Sequence, residues 1–198
     1  LAILQEEKKE HNMRKNFYLL IGPPAVGKST WIKKNYGDNL PYVISRDNFV
    51  DQVAAEIGVT YNEMFSSKES FVKEANKKVD RLVEEKIDLA KYCNKDIVVD
   101  MTNLTLGRRN KNSKAISGVE DKYKKIAVLF NFLDNEEIIF STAQKRARII
   151  KESGNTKDIS KFILTSMIKS YQEITPEENF EEIINIDTTQ DLKKFIGE

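Results

Sequence analysis

Cysteine and histidine each occur once in the 198 residues, as Cys93 and His11. A lone cysteine rules out an intrachain disulfide and makes the cytosol the natural compartment. It falls near the end of a helical pattern, where a buried structural thiol is expected. A lone histidine leaves zinc sites and histidine-based triads hard to build, so His11 reads as a solvated surface residue. No apolar run approaches the roughly 18 residues of a membrane span, and the N-terminus lacks the apolar core of a signal peptide. Net charge of one sign is also missing: 32 Lys and Arg stand against 31 Asp and Glu, for a formal charge of +1. The overall balance therefore argues neither for nor against nucleic acid, and charge distribution has to decide. There is no internal repeat, no low-complexity segment, no Asn-Lys-x-Asp guanine signature and no Asp-x-Asp-Gly-Thr phosphatase stretch.

What is present is concentrated at residues 17–31, FYLLIGPPAVGKSTW. Gly22-Pro23-Pro24-Ala25-Val26-Gly27-Lys28-Ser29 fits G-x-x-x-x-G-K-[ST], directly after a strand-like stretch and before a helix start. The glycines let the backbone turn so that N–H groups from Gly22 through Ala25, Val26 and Gly27 to Thr30 face one anion, which the helix dipole favours. Lys28 is expected to reach the β- and γ-phosphates of ATP, and the Ser29 hydroxyl to hold Mg²⁺.

Residues 1–12 are highly charged and do not begin with methionine, whereas Met13 leads straight into the first strand. They read as a leader, a cloning scar or the end of something longer, with one domain over 13–198. Short apolar strands are expected at 17–21, 42–44, 95–100, 125–133 and 182–187. Between them lie helical patterns, including a long helix with a buried stripe of Phe71, Ala75, Val79, Leu82, Val83, Ile87 and Ala90. Alternation of strands and helices predicts an α/β fold, a doubly wound five-stranded parallel sheet with the phosphate loop after its first strand.

In such a sheet ligands bind beyond the carboxyl ends of the strands. Asp47, in Ser45-Arg46-Asp47-Asn48 after the second strand, falls on that side, where it suits a base across from the γ-phosphate or a helix N-cap. Asp100 ends the third strand in the Walker B manner and is expected to help place the metal. Arg146, Arg148 and Lys151 precede a Gly154-Asn155-Thr156 break, which suits a helical lid closing over nucleotide or a solvated helix face.

The combination GPPAVGKSTW, SRDNF, VVDMTNL followed by an Arg pair, and KRAR before a helix ending SMIKSY resembles the 5′-hydroxyl polynucleotide kinase domain of bacteriophage end-healing enzymes, over about residues 16–171. The resemblance implies a P-loop kinase fold, ATP and Mg²⁺ as cofactors, and nucleic acid 5′-OH ends, DNA or RNA, as partners. It implies Asp47 as general base, Lys28 and Ser29 on phosphate and metal, Asp100 as a further functional acid, and Arg146 on the nucleotide phosphates with Arg148 beside it. Where that family carries an arginine three residues after the base, this chain has Val50. The acceptor side would then draw on Arg46, Asp100, Asn103, Arg108 and Arg109. A small-molecule kinase of the same fold, including the zeta-toxin-like group with sugar-nucleotide acceptors, shares the loop and the aspartate. A non-catalytic nucleotide-dependent module is the third reading, against which intact Lys28, Ser29, Asp47 and Asp100 argue.

Overall fold

The computed structural model describes residues 14–154 and 156–197; His11 and the segment 1–12 lie outside them. Five strands form one sheet: β1 (Lys15–Ile21), β2 (Tyr42–Ile44), β3 (Ile97–Val99), β4 (Tyr123–Phe130) and β5 (Glu182–Ile186). Their order is β2-β3-β1-β4-β5 and all pairings are parallel. The eight helices labelled here are α1 (Lys28–Tyr36), α2 (Arg46–Ile57), α3 (Glu63–Ser66), α4 (Ser70–Ala90), α5 (Leu106–Ser113), α6 (Glu136–Glu152), α7 (Lys161–Lys169) and α8 (Thr189–Ile196).

The central strand shows why the fold forms. Side chains alternate across a strand, and a parallel strand covered on both faces must be apolar throughout. Leu20 of β1 joins Val98, Val128, Ile32 of α1, Ile139 and Ala143 of α6, Leu164 of α7 and Leu192 of α8 on one face. Phe17, Leu19 and Ile21 join Ile44, Ile97, Val99 and the second half of α4 on the other. The sheet is therefore doubly wound, as the alternating pattern requires.

A third, smaller core lies beyond the β2 edge. Val50, Val53 and Ala54 of α2, Met64 of α3, and Val72, Ala75 and Val79 of α4 pack together there. The 21-residue helix α4 thus serves two cores, the lobe with its first half and the sheet with its second. This division shifts the stripe expected from the sequence: the first turn faces the lobe, so Val72 is buried and Phe71 is 52% exposed.

Other boundaries move for local reasons. β4 ends at Phe130 instead of 133, because Phe132 leaves the strand line to pack edge-on against Tyr171 in the first core while Leu133 is exposed. Cys93 is half-buried, not buried, since α4 stops at Ala90; its sulfur lies 3.7 Å from the Tyr123 hydroxyl. Among the described residues no helix is long and apolar enough to cross a membrane.

Candidate nucleotide and acceptor site

The phosphate loop joins β1 to α1 and is held by packing as much as by sequence. A Cβ at Gly22 would fall 2.8 Å from a Val26 methyl, and the Gly22 N–H donates to the Thr102 carbonyl at 3.0 Å. Ala25 (φ 64°) and Gly27 (φ 105°) are left-handed on either side of buried Val26. Such turns curl the backbone so that successive N–H groups face a common anion. For alanine the conformation is strained by roughly 1 to 3 kcal/mol, which the surroundings must hold in place. Thr188, at the start of the last helix, supplies part of that support: its hydroxyl donates to the Val26 carbonyl at 2.8 Å, and its methyl would lie 3.1 Å from a Cβ at Gly27. Nothing near Thr188 in the sequence announces this role. No side chain caps the start of α1, so its first-turn N–H groups remain open to an anion.

Lys28 reaches back over the loop and donates to the carbonyls of Gly22 (3.0 Å) and Pro23 (2.8 Å). Burial pushes its ammonium below the ordinary lysine value, Asp100 and Asp47 oppose that shift, and Arg146 adds to it. The four side chains therefore share one electrostatic site, although they come from α1, the end of β3, α2 and α6. Asp100 is raised by burial and by Asp47, and drawn back by Lys28, Ser29 and Arg146. Its N–H donates to the Ile44 carbonyl, which fixes the turn after β3. The Ser29 hydroxyl lies 3.4 Å from its Oδ2. A hydroxyl and a carboxylate at this spacing could hold Mg²⁺, which takes one or two protein carboxylates and completes its octahedron with phosphate oxygens and water. Among the described residues no three His, Cys, Asp or Glu side chains gather as an all-protein cage.

Asp47 does not occupy the N-cap of α2. Ser45 is there, and Asp47 lies in the first turn, exposed, accepting a hydrogen bond from the Tyr61 hydroxyl at 2.9 Å. Burial and the Asp47 charge both raise the Tyr61 phenol. Around this pair the segment after α6 meets the helical lobe. Lys157 lies 4.6 Å from the Tyr61 ring centroid and pairs with Asp51, and the Asp158 N–H donates to Asn62 Oδ1 at 3.2 Å. The other Asp51 carboxylate oxygen is shielded from solvent and unpartnered. No motif in the sequence marks Tyr61, Asp51, Asn62 or Lys157 for this site.

Several expected acceptor contacts are corrected. Arg109 is fully buried, with Nε and Nη2 on the Glu178 carboxylate (2.6 and 2.8 Å) and its remaining donors on the carbonyls of Asn103, Leu104, Gln172 and Glu173. It has no donor left for a ligand. Asn103 is buried with φ 49°, its amide donating to the Leu20 carbonyl at 2.7 Å and its oxygen accepting from Asn112, so it braces the turn after β3. Arg46 is engaged by Asp80 and lies 5.8 Å from the Phe65 ring centroid. Arg108 is exposed in the first turn of α5, and Thr30 is exposed beside Ser29. Arg146 and Arg148 are both exposed on α6, and Arg146 lies close enough to act on Lys28 and Asp100. Val50 is wholly buried in the lobe, so the position where the phage kinases carry an arginine is a core position here.

A search of curated proteins returns no match. Solved structures with the same fold include a gluconokinase from Sinorhizobium meliloti 1021, with 14% identity, 94% of this chain and 90% of that chain covered, and TM-score 0.52. A structure from the PezAT chromosomal toxin–antitoxin system of Streptococcus pneumoniae aligns with 14% identity over 94% of this chain and 75% of that one, TM-score 0.60. A sugar kinase from Janibacter sp. HTCC2649 shares 16% identity over 92% and 91%, TM-score 0.51. The family model described as AAA domain matches residues 18–173, from the middle of β1 to just beyond α7. With that match over most of its length, and with a nucleotide-binding phosphate loop at the carboxyl edge of a five-stranded parallel sheet, the chain belongs to the AAA domain family, as a P-loop kinase-like member.

Proposed function

We propose that the protein is an ATP-dependent phosphotransferase that phosphorylates a hydroxyl of a small acceptor, a nucleoside, sugar or sugar nucleotide. The convergence of Lys28, Asp100, Asp47 and Arg146 on one electrostatic site carries the kinase part of this reading. Phosphoryl transfer asks for positioned phosphates, neutralised charge and a base for the acceptor proton, with little covalent work for the protein. Lys28 and the loop N–H groups bind the β- and γ-phosphates, and Arg146 adds positive charge over the transferring group. Ser29 and Asp100 would hold Mg²⁺, which supplies further neutralisation of the phosphate oxygens. Asp47 accepts the proton of the acceptor hydroxyl as its oxygen bonds to the γ-phosphorus and the β–γ bridging bond breaks, leaving ADP.

The small acceptor is favoured by what the acceptor side lacks. Val50 and Arg109 are both sealed in cores, which removes two of the contacts a polynucleotide backbone would use. The gluconokinase and the sugar kinase that share this fold support this choice. A second reading, phosphorylation of 5′-OH polynucleotide ends, is supported by the motif set around Asp47 and Asp100 and by exposed Arg108.

Transfer of label from γ-labelled ATP decides between them. The acceptors are a 5′-OH oligodeoxynucleotide, a 5′-OH oligoribonucleotide, a nucleoside, a uridine-diphosphate sugar and gluconate, with Lys28→Ala as the blank. We expect label on a small acceptor. A higher kcat/KM for either oligonucleotide would put the second reading in its place. No label on any acceptor, or equal label with the Lys28→Ala protein, would refute the kinase assignment.

A further inference from the structure

An aromatic pair stands beside the proposed base. Tyr61, whose hydroxyl holds Asp47, packs against Phe65 with centroids 5.1 Å apart and planes tilted by 52°. Phe65 is 56% exposed, yet it is not on a loose loop. The turn leading into the short helix α3 that carries it is tied by Thr60, whose N–H and hydroxyl donate to Glu63 Oε2 at 2.7 and 2.8 Å. Its next residue, Met64, is buried in the lobe core, and its carbonyl accepts from the Asn76 amide of α4 at 2.6 Å. A rigid turn therefore holds a phenyl ring out in water, one side chain away from Asp47. Both rings are fringed by cations, Lys157 at 4.6 Å from the Tyr61 centroid and Arg46 at 5.8 Å from that of Phe65.

Single exposed apolar residues are ordinary and carry no meaning alone. Here the ring is held on a hydrogen-bonded turn, paired with a second ring that touches the base, and bordered by two ion pairs, Arg46 with Asp80 and Lys157 with Asp51. We propose that Tyr61 and Phe65 are a stacking subsite for a planar nucleobase, so that the hydroxyl presented to Asp47 belongs to a nucleoside-type acceptor. The subsite rests on the kinase reading above and narrows it. Every nucleobase has a π-face, so such a platform selects the class of acceptor without reading its sequence. The nucleoside can be the 5′ end of a short oligonucleotide or the nucleotide part of a sugar nucleotide, and the assay separates these.

The test uses the full chain with γ-labelled ATP and three acceptors: a 5′-OH dinucleotide, a uridine-diphosphate sugar, and gluconate as the base-free control. The inference expects label on one of the first two, and which one identifies the source of the base. Phe65→Ala should raise KM for that acceptor about 5- to 150-fold, the range produced by losing one base–aromatic stack. The loss should fall in KM rather than kcat, KM for ATP should not move, and Phe65→Tyr should restore the acceptor KM. Thermal unfolding of Phe65→Ala should match the parent, because the ring is outside the core. Preferential labelling of gluconate would overturn the stacking subsite while leaving the kinase reading standing. An unchanged acceptor KM in Phe65→Ala would do the same. No label on any acceptor would overturn both.

Discussion

Replacing Asp47 with asparagine separates a base from a structural carboxylate, because the two roles respond on different scales. The structural cost can be worked from its surroundings. Asp47 is not the N-cap of α2, so no capping bond is lost. A carboxylate in the first turn of a helix is favoured by about 0.3 to 1 kcal/mol, and asparagine forfeits that. The Tyr61 hydroxyl keeps an acceptor, but a bond to a neutral amide oxygen is weaker than one to a carboxylate by about 1 kcal/mol. Against both, Asp47 helps to raise Asp100, and removing its charge relieves that repulsion. The net change is about 1 kcal/mol, and for a domain of this size Tm falls by about 2 to 4 °C. Loss of a general base costs about 10² to 10⁴ in rate, or roughly 3 to 5 kcal/mol of barrier. The assay pairs a thermal melt and a nucleotide-binding titration with single-turnover transfer from γ-labelled ATP. We expect a Tm lowered by no more than about 4 °C, unchanged nucleotide affinity and at least about a hundredfold loss of transfer. Turnover within a few-fold of the parent would refute the assignment and move the search for the base to Asp100.

On α6, Arg146→Ala should lower kcat more than Arg148→Ala, since Arg146 acts on Lys28 and Asp100; the reverse order would show that this helix meets the nucleotide through its other face. Glu178→Gln should destabilise the domain by about 3 to 5 kcal/mol, because it strands a buried guanidinium. Burial raises the Glu178 carboxyl, but Arg109 and the Thr175 N–H outweigh it and hold it below the ordinary glutamate value. Its contribution is therefore present above the unfolded value near pH 4.5 and is lost as pH falls through the depressed one. Urea melts between pH 6 and 3 should show that loss in the parent and not in Glu178→Gln.

The five strands, the place of the phosphate loop and the positions of the acids Asp47 and Asp100 after their strands are legible because each depends on nearby residues. A strand buried on both faces must be apolar, and a loop followed by Lys28 and Ser29 carries its function in a few consecutive positions. The acceptor side is not legible in this way. Arg108 and Arg109 are neighbours in a basic run, and only the fold points one outward and seals the other against Glu178, which the sequence places far away. Val50 likewise looks like a lost arginine until the lobe formed by α2, α3 and α4 shows that its position faces inward. Tyr61 and Lys157 meet across the junction of that lobe with the segment after α6, and no periodicity links them. Where a side chain acts through its own segment the pattern reveals it; where it acts through a distant partner only the packing does.

The support that Thr188 gives the phosphate loop bears on what a shortened protein would retain. The family match ends at residue 173, before Glu178, β5 and Thr188. A fragment cut there would keep Gly22, Lys28, Ser29, Asp47, Asp100 and Arg146, the whole inventory of the proposed chemistry. It would lose the hydroxyl on the Val26 carbonyl, the counter-ion of Arg109 and the strand that covers the outer edge of β4. The segment that defines membership of the family is thus smaller than the unit that can hold the loop in shape, and the last strand and helix act as its splint.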